Sequence, residues 1–334
     1  MAVRIGINGF GRIGMLVAKA AMQRGSNIEL VAANDLMPFE SLALLFKRDS
    51  VHGIWDEDVS YEGNIFRIGD REVKTFSERD PAQIPWGDVG ADIVVESSGV
   101  FTDGEAAAKH IEGGAKKVII SAPAKNVDGT FVYKVNHEDY DPDNHSVVSN
   151  ASCTTNCVVP MAKVLIDNFG IESAYMTTCH AFTNDQSLLD TAHKDPRRAR
   201  SAPQSIIPSS TGAARTVGVI YPELEGKVDG MSLRVPIPDG SITDFVANLT
   251  NEASVDEINA AFKKAADGEL SGVLEYSDAP IVSRDIVGNP ASCVFDSPLT
   301  MSNGKTAKIL GWYDNEWGYS NRTADLVEYM GERL

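Results

Sequence analysis

The glycine run Gly9-Phe10-Gly11-Arg12-Ile13-Gly14, set between an apolar stretch and a helical one, restricts what this chain can fold into more than any other feature. Val3-Arg4-Ile5-Gly6-Ile7 reads as a buried strand, and a helix is expected from about Arg12 to Arg24, ended by Gly25. Ile28-Glu29-Leu30-Val31-Ala32-Ala33 reads as a second strand, with Asp35 at its end. Alone, G-x-G-x-x-G is a weak signal. Strand, glycine turn, helix, strand and acidic residue in this order make a dinucleotide-binding turn. Gly9 then permits the tight turn, Gly11 lets the backbone approach a pyrophosphate, and Gly14 lets the helix lie close on the sheet. The free N–H groups at the helix start bind phosphate. Asp35 accepts hydrogen bonds from ribose hydroxyls and repels a 2′-phosphate, so NAD is expected over NADP.

Strand and helix signals alternate through the first half of the chain, which implies a parallel sheet covered by helices. Further strands are expected at Ile93–Glu96, Val118–Ser121 and Val147–Ser149, with a small antiparallel excursion between Val51 and Phe76. Beyond Cys153 a helix runs to about Asn168 and stops at Gly170. Long strands then follow at Ala174–His180, Gly230–Pro236, Thr243–Thr250 and Ala307–Tyr313, with helical stretches at Thr211–Val217 and Val255–Ala266. This reads as a mostly antiparallel sheet with helices on one face. The expected fold class is α/β plus α+β: a Rossmann-type parallel domain over residues 1–150 and a mostly antiparallel catalytic domain over 151–316. A helix near Thr323–Arg333, within 317–334, is expected to pack back on the first domain. Residues 185–210 form an irregular stretch, and a loop that long in a compact domain is usually functional.

At 334 residues the chain suits two domains. The net charge of −17 argues against a nucleic-acid or anionic-membrane partner. No apolar run reaches membrane-span length, and the N-terminal residues enter a strand pattern without a secretion signal. The four cysteines show no zinc-like pairing and are too sparse for a disulfide scaffold. A reducing cytoplasm and no metal are therefore expected.

Cys153, in Ser149-Asn150-Ala151-Ser152-Cys153-Thr154-Thr155-Asn156-Cys157, has small polar flanks and opens a helix. The helix dipole is expected to lower its pKa and make it a nucleophile. A buried inert thiol is the alternative, and the polar flanks argue against it. Cys157, Cys179 and Cys293 are assigned to packing. His180, ending a strand in Cys179-His180-Ala181-Phe182-Thr183-Asn184-Asp185, is the expected proton acceptor for Cys153. The other five histidines are expected in solvated or structural settings. Lys194-Asp195-Pro196-Arg197-Arg198-Ala199-Arg200 concentrates positive charge in an acidic protein, and Ser209-Ser210-Thr211-Gly212-Ala213-Ala214-Arg215 opens a helix as a second anion site. Arg234, between apolar neighbours in a strand, requires an anionic partner. An interloop or intersubunit salt-bridge network accounts for one or two of these arginines.

With these elements together, the chain resembles the phosphorylating glyceraldehyde-3-phosphate dehydrogenase family along its whole length. Ile7–Gly14, Asp49-Ser50-Val51-His52-Gly53, Glu78-Arg79-Asp80-Pro81, Ser149–Cys157, His180–Gln186, Ser210–Ala214 and Trp312-Tyr313-Asp314-Asn315-Glu316 carry the likeness. The resemblance implies that Cys153 attacks glyceraldehyde 3-phosphate to give a thiohemiacetal and then a thioester, with His180 as base. Inorganic phosphate then releases 1,3-bisphosphoglycerate. It implies that Thr183, Arg198 and Arg234 hold the substrate phosphate and that Ser152, Thr154, Thr211 and Gly212 hold the attacking one. Arg12, Ile13, Asp35, Arg79, Ser121 and Asn315 would contact NAD, Asn315 through the carboxamide. It further implies a homotetramer whose long loop, the S-loop 185–210, lies between cofactor sites of neighbouring subunits.

Five positions depart from the family pattern. Met15 stands where a basic residue is common and is expected to face the helix surface. Phe182 and Trp317 each replace a tyrosine. Thr191-Ala192 stands where NAD-specific members resemble Leu-Pro, so secondary use of NADP is expected. An erythrose-4-phosphate dehydrogenase is the enzyme alternative, and an inactive NAD-binding regulatory protein the alternative of another class.

Overall fold

A computed structural model describes residues 2–25 and 27–334. The chain divides into two compact units, Met1–Ala151 with Ser320–Leu334, and Ser152–Tyr319.

The first unit is built on a nine-stranded sheet. Val3–Asn8 lies at its centre, parallel to Ile28–Asn34 on one side and to Ile93–Glu96 on the other. Lys117–Ile120, Val147–Ser149 and Gly129–Thr130 extend the parallel run beyond Ile93–Glu96. On the opposite side Arg71–Phe76 pairs parallel with Ile28–Asn34, and two short strands, Ile65–Ile68 and Val59–Glu62, close the edge antiparallel. The order therefore reverses between Val3–Asn8 and Ile93–Glu96. In an open α/β sheet a ligand binds at this switch point, outside the carboxyl ends of the strands.

Phe10, between two glycines of the fingerprint, is fully buried. Its ring stacks on Phe46 at 5.9 Å and meets Phe66 edge-on at 5.4 Å. Burying such a ring contributes about 1.5–3 kcal/mol, so the glycine turn is bolted to the core by its one large side chain. Met15 also lies in this core, at 6% exposure. That corrects the expectation of a surface position: it lies among the buried residues Gly14 to Ala21 of the helix Arg12–Gln23. Leu326, Val327 and Met330 of the final helix, Trp317–Gly331, join the same cluster.

The second unit carries a mixed eight-stranded sheet. Ile171–Ala181 runs parallel to Val228–Val235 and antiparallel to Ser241–Leu249, which pairs antiparallel with Thr306–Tyr313. The last four residues of the expected long loop, Ile207–Ser210, form an edge strand on Val228–Val235. The helix Cys153–Phe169 continues through Pro160 and stops at Gly170, whose φ of 71° suits glycine. Along Ser241–Leu249 the residues Ser241, Thr243, Phe245, Ala247 and Leu249 are buried, whereas Ile242, Asp244, Val246 and Asn248 are not. One face of this sheet is thus covered within the unit and the other is open. Among the described residues no helix is long and apolar enough to cross a membrane.

Candidate active site

Cys153 is the first residue of its helix, and Ser152 is the N-cap, accepting the Thr155 N–H on Oγ at 3.0 Å. His180 lies on the neighbouring strand Ile171–Ala181, and its Nε2 is 3.3 Å from Cys153 Sγ. His180 Nδ1 is 2.7 Å from Ala181 O. A ring proton on Nδ1 satisfies Ala181 O and leaves Nε2 as the acceptor facing the thiol, while Arg234 Nη1, 3.2 Å from Nδ1, reaches the same carbonyl. His180 is 4% exposed, with Met176 and Thr178 on the same covered face.

The expected low thiol pKa does not appear in the resting site. Burial pushes Cys153 up to about 11, although Arg234 and the hydroxyl and N–H of Thr154 pull it down. Burial, reinforced by the Arg234 charge, pushes His180 down to about 3. Desolvation outweighs the helix terminus here. The resting pair is a thiol hydrogen-bonded to a neutral imidazole.

Thr183, Arg198 and Arg234 are brought together, and Asp185, which sequence reasoning did not single out, joins them. Arg234 Nη1 donates to Thr183 Oγ1 at 3.0 Å and to Ala181 O at 3.2 Å. Thr183 Oγ1 donates to Asp185, whose other oxygen accepts from Arg198 Nη1 at 2.6 Å. Burial raises the Asp185 carboxyl, but Thr183, Arg234 and Arg198 outweigh it and hold it below its ordinary value. Arg234 Nε is buried without a hydrogen-bond partner, and Arg198 Nε faces only the Asp195 carboxylate at 3.7 Å. A site with two guanidinium groups and unused donors suits a phosphate dianion. Arg200, by contrast, pairs with Asp190 at 2.9 Å, a salt bridge inside the same loop rather than between loops.

The four residues assigned to the attacking phosphate occupy two helix starts. Thr211 Oγ1 accepts from Ala213 N at 3.2 Å, just after Gly212. Ser210 O, next to Thr211, is 3.4 Å from Arg198 Nη2. The Thr154 hydroxyl is turned inward, 2.9 Å from the Tyr313 hydroxyl, which is 2.8 Å from Thr178 Oγ1. Thr154 thus offers an anion its backbone rather than its side chain. Asn315 is held by Ser241, whose hydroxyl donates to Asn315 Oδ1 at 2.6 Å and accepts from Ala181 N at 3.1 Å.

In the first unit, Gly9 has φ of 84°, and a side chain on it would strike the Ser98 backbone. One on Gly14 would strike Gly9 O and lie 3.0 Å from Ile7 Cγ2. One on Gly11 would meet nothing within 4 Å. Gly9 and Gly14 therefore serve internal packing, while Gly11 faces open space. The helix N-cap, Gly11, brings no side-chain cap, which suits this helix start to an anion. Asp35 Oδ2 accepts from Phe10 N at 2.7 Å and Oδ1 from Met37 N at 2.9 Å. Arg12 pairs with Asp49 at 3.2 Å, Ile13 is half-buried, Arg79 is exposed, and Ser121 follows the strand Lys117–Ile120. These groups fit a dinucleotide: an open glycine, an uncapped helix start and a carboxylate at the second strand end.

One cysteine departs from its expected setting, and one histidine takes the structural setting expected of it. Cys179 is half-exposed rather than packed, because it alternates with His180 and so points to the open face of its sheet. His110 is fully buried and accepts from Trp86 Nε1 at 3.0 Å.

A family model described as glyceraldehyde 3-phosphate dehydrogenase, NAD binding domain, matches residues 3–104, and one described as the C-terminal domain of the same enzyme matches residues 152–315. The chain is 56% identical over 336 residues to the glyceraldehyde-3-phosphate dehydrogenase of Streptomyces coelicolor, covering 100% of both. It is 55% identical over 334 residues to that of Geobacillus stearothermophilus, covering 100% of this chain and 99% of the relative. It is 54% identical over 340 residues to that of Mycobacterium bovis, again covering 100% of both.

Proposed function

The chain belongs to the glyceraldehyde-3-phosphate dehydrogenase family and is an NAD-dependent enzyme of that kind, and from this premise we propose how its own residues carry the reaction. It converts glyceraldehyde 3-phosphate, NAD and inorganic phosphate to 1,3-bisphosphoglycerate. The observation that carries the residue assignment is the 3.3 Å contact between Cys153 Sγ and the acceptor nitrogen of His180.

As Sγ attacks the aldehyde carbon, its proton passes to His180 Nε2, and the thiohemiacetal forms. His180, now cationic, donates to the developing oxyanion and then takes the hydroxyl proton as the carbon is oxidised to the thioester. Bound NAD supplies the hydride acceptor. Inorganic phosphate attacks the thioester carbon, the C–S bond breaks, and Cys153 recovers its proton. Thr183, Arg198 and Arg234 hold the substrate phosphate. Ser152, Thr154, Thr211 and Gly212 hold the attacking one. Gly11, Arg12, Ile13, Asp35, Arg79, Ser121 and Asn315 hold NAD, and Gly9 shapes the turn that receives it. The relatives' names favour glyceraldehyde 3-phosphate over erythrose 4-phosphate, and the formed Cys153–His180 pair argues against an inactive regulatory protein.

NAD is the preferred cofactor, with slower turnover of NADP through Thr191. The Asp35 charge supports the preference, since it stands where a 2′-phosphate would come. The working form is a cytoplasmic homotetramer: four free thiols suit a reducing compartment, and the open sheet face, with Tyr175 at 74% exposure and Met231 at 40%, is apolar enough to need a cover. Initial rates with glyceraldehyde 3-phosphate, with and without inorganic phosphate and with each cofactor, test the reading. Sustained turnover must require phosphate. Equal rates without it would overturn the phosphorolytic step, and no turnover with NADP would overturn the secondary cofactor. Sedimentation velocity tests the tetramer, which a species of 36.0 kDa would exclude.

A further inference from the structure

At the C-terminal edge of the first unit's sheet lies a buried polar cluster that none of the roles above uses. Glu96 ends the strand Ile93–Glu96 and is 2% exposed. Its Oε1 accepts from Ser98 N at 2.8 Å and from Ser98 Oγ at 2.5 Å. Its Oε2 accepts from Asn8 Nδ2 at 2.5 Å and from His110 Nε2 at 2.9 Å. Because Trp86 donates to His110 Nδ1, the imidazole proton sits on Nε2 and points at Glu96. Four donors therefore meet the acceptor sites of one carboxylate, which is what a buried charge without a cationic partner requires.

The cluster continues sideways. Asn34 Nδ2 donates to Asn8 Oδ1 at 2.8 Å and to Glu78 O at 2.9 Å, and Asn34 Oδ1 accepts from Glu78 N at 2.8 Å. Three members stand next in sequence to a cofactor segment. Asn8 precedes Gly9, Asn34 precedes Asp35, and Glu78 precedes Arg79. Glu96 precedes the turn Ser97–Val100, which is mostly exposed and whose Ser98 backbone fills the space against Gly9. The Ser98 hydroxyl also accepts from Val100 N at 3.2 Å, so the turn is tied to Glu96 from both ends.

We propose that Glu96 is a positioning residue for the cofactor, holding the Ser97–Val100 turn against the glycine fingerprint and, through Asn8 and Asn34, setting the heights of Asp35 and Arg79. The proposal rests on the reading of these segments as the NAD site. Glu96 touches no substrate; it acts through the four loop starts that it ties together.

Glu96→Gln keeps the size and turns an NH2 group toward donors. Its Kd for NAD, read by fluorescence titration, should rise about tenfold and KM for NAD with it, while kcat at saturating NAD and KM for the aldehyde stay within about twofold. Ser98→Ala should weaken NAD binding by about threefold, and the double variant should be weaker by less than the two effects combined, because both act on the Glu96–Ser98 contact. Unchanged NAD affinity in Glu96→Gln, even with a lower Tm, overturns the proposal, as does a fall in kcat at unchanged Kd. If Glu96→Gln does not fold, Ser98→Ala, at an exposed residue, decides alone: wild-type affinity overturns it. Failure of the wild-type protein to bind NAD would instead overturn the cofactor reading.

Discussion

The two nitrogens of His180 are committed to different tasks before any substrate arrives: Nδ1 is tied to Ala181 O and Nε2 faces the thiol. With the imidazole pushed down to about 3 and the thiol up to about 11, neither charge is present at rest. The proton must move as the carbon–sulfur bond forms, which keeps a buried ion pair from standing idle. His180→Asn removes the acceptor and keeps the approximate shape, and kcat/KM for the aldehyde should fall by about 10² to 10⁴-fold with KM for NAD unchanged. A fall below about tenfold would remove His180 from the proton path. Cys153→Ser should abolish turnover, since the hydroxyl neither matches the thiol as a nucleophile nor gives a thioester.

Among the elements, the helix Arg12–Gln23 shows how closely a glycine can set an angle. Gly14 lets that helix rest on the Gly9 carbonyl and on Ile7. Gly14→Ala should push the helix off the sheet, costing about 1–3 kcal/mol, visible as a lower denaturation midpoint together with weaker NAD binding. An unchanged midpoint would mean that the contact is slack. Gly11→Ala, facing open space, should leave stability within about 0.5 kcal/mol and weaken NAD alone. This element was legible in the sequence because its constraint is local: strand, turn and helix occur within about two dozen consecutive residues. The second strand's Asp35 was legible for the same reason. The Cys153–His180 contact was less so, because it joins a helix start to a strand 27 residues away, and its electrostatics were misread. Helix position is written in the sequence, whereas depth of burial belongs to the packed unit. Asp185 passed unnoticed because Arg198, its charged partner, meets it only when the long loop folds back. His110 looked like a turn residue until Trp86 and Glu96 closed around it.

At the scale of the whole molecule, one buried carboxyl ties stability to pH. Asp239 is 3% exposed and held well above the ordinary carboxylate range, first by burial and then by the charge of Asp314. Asp314 accepts backbone N–H bonds from Gly288, Glu316 and Trp317, which leaves the proton of the pair on Asp239. The folded state keeps that proton where the unfolded chain releases it, above about pH 4. The raised pKa therefore contributes stability that is complete below that point and is lost as pH rises toward the folded value. Asp239→Asn carries no such proton. Its urea midpoint relative to wild type should climb steadily from pH 5 to pH 8.5, and parallel curves would show that Asp239 is ionised in the native protein.

The alternation of the strand Ile171–Ala181 puts His180 on its covered side and Cys179 on its open side, one residue apart. A thiol label there would sit back to back with the reaction centre, separated from it by the thickness of one backbone. Cys157 and Cys293 are sealed in the interior, so in a Cys153→Ser background Cys179 is the single reachable thiol. Its labelling rate becomes a gauge of whether the open face is covered: fast in an isolated chain, slow wherever another surface lies across the sheet. The protein carries its own reporter of assembly, on the reverse of the strand that carries its base.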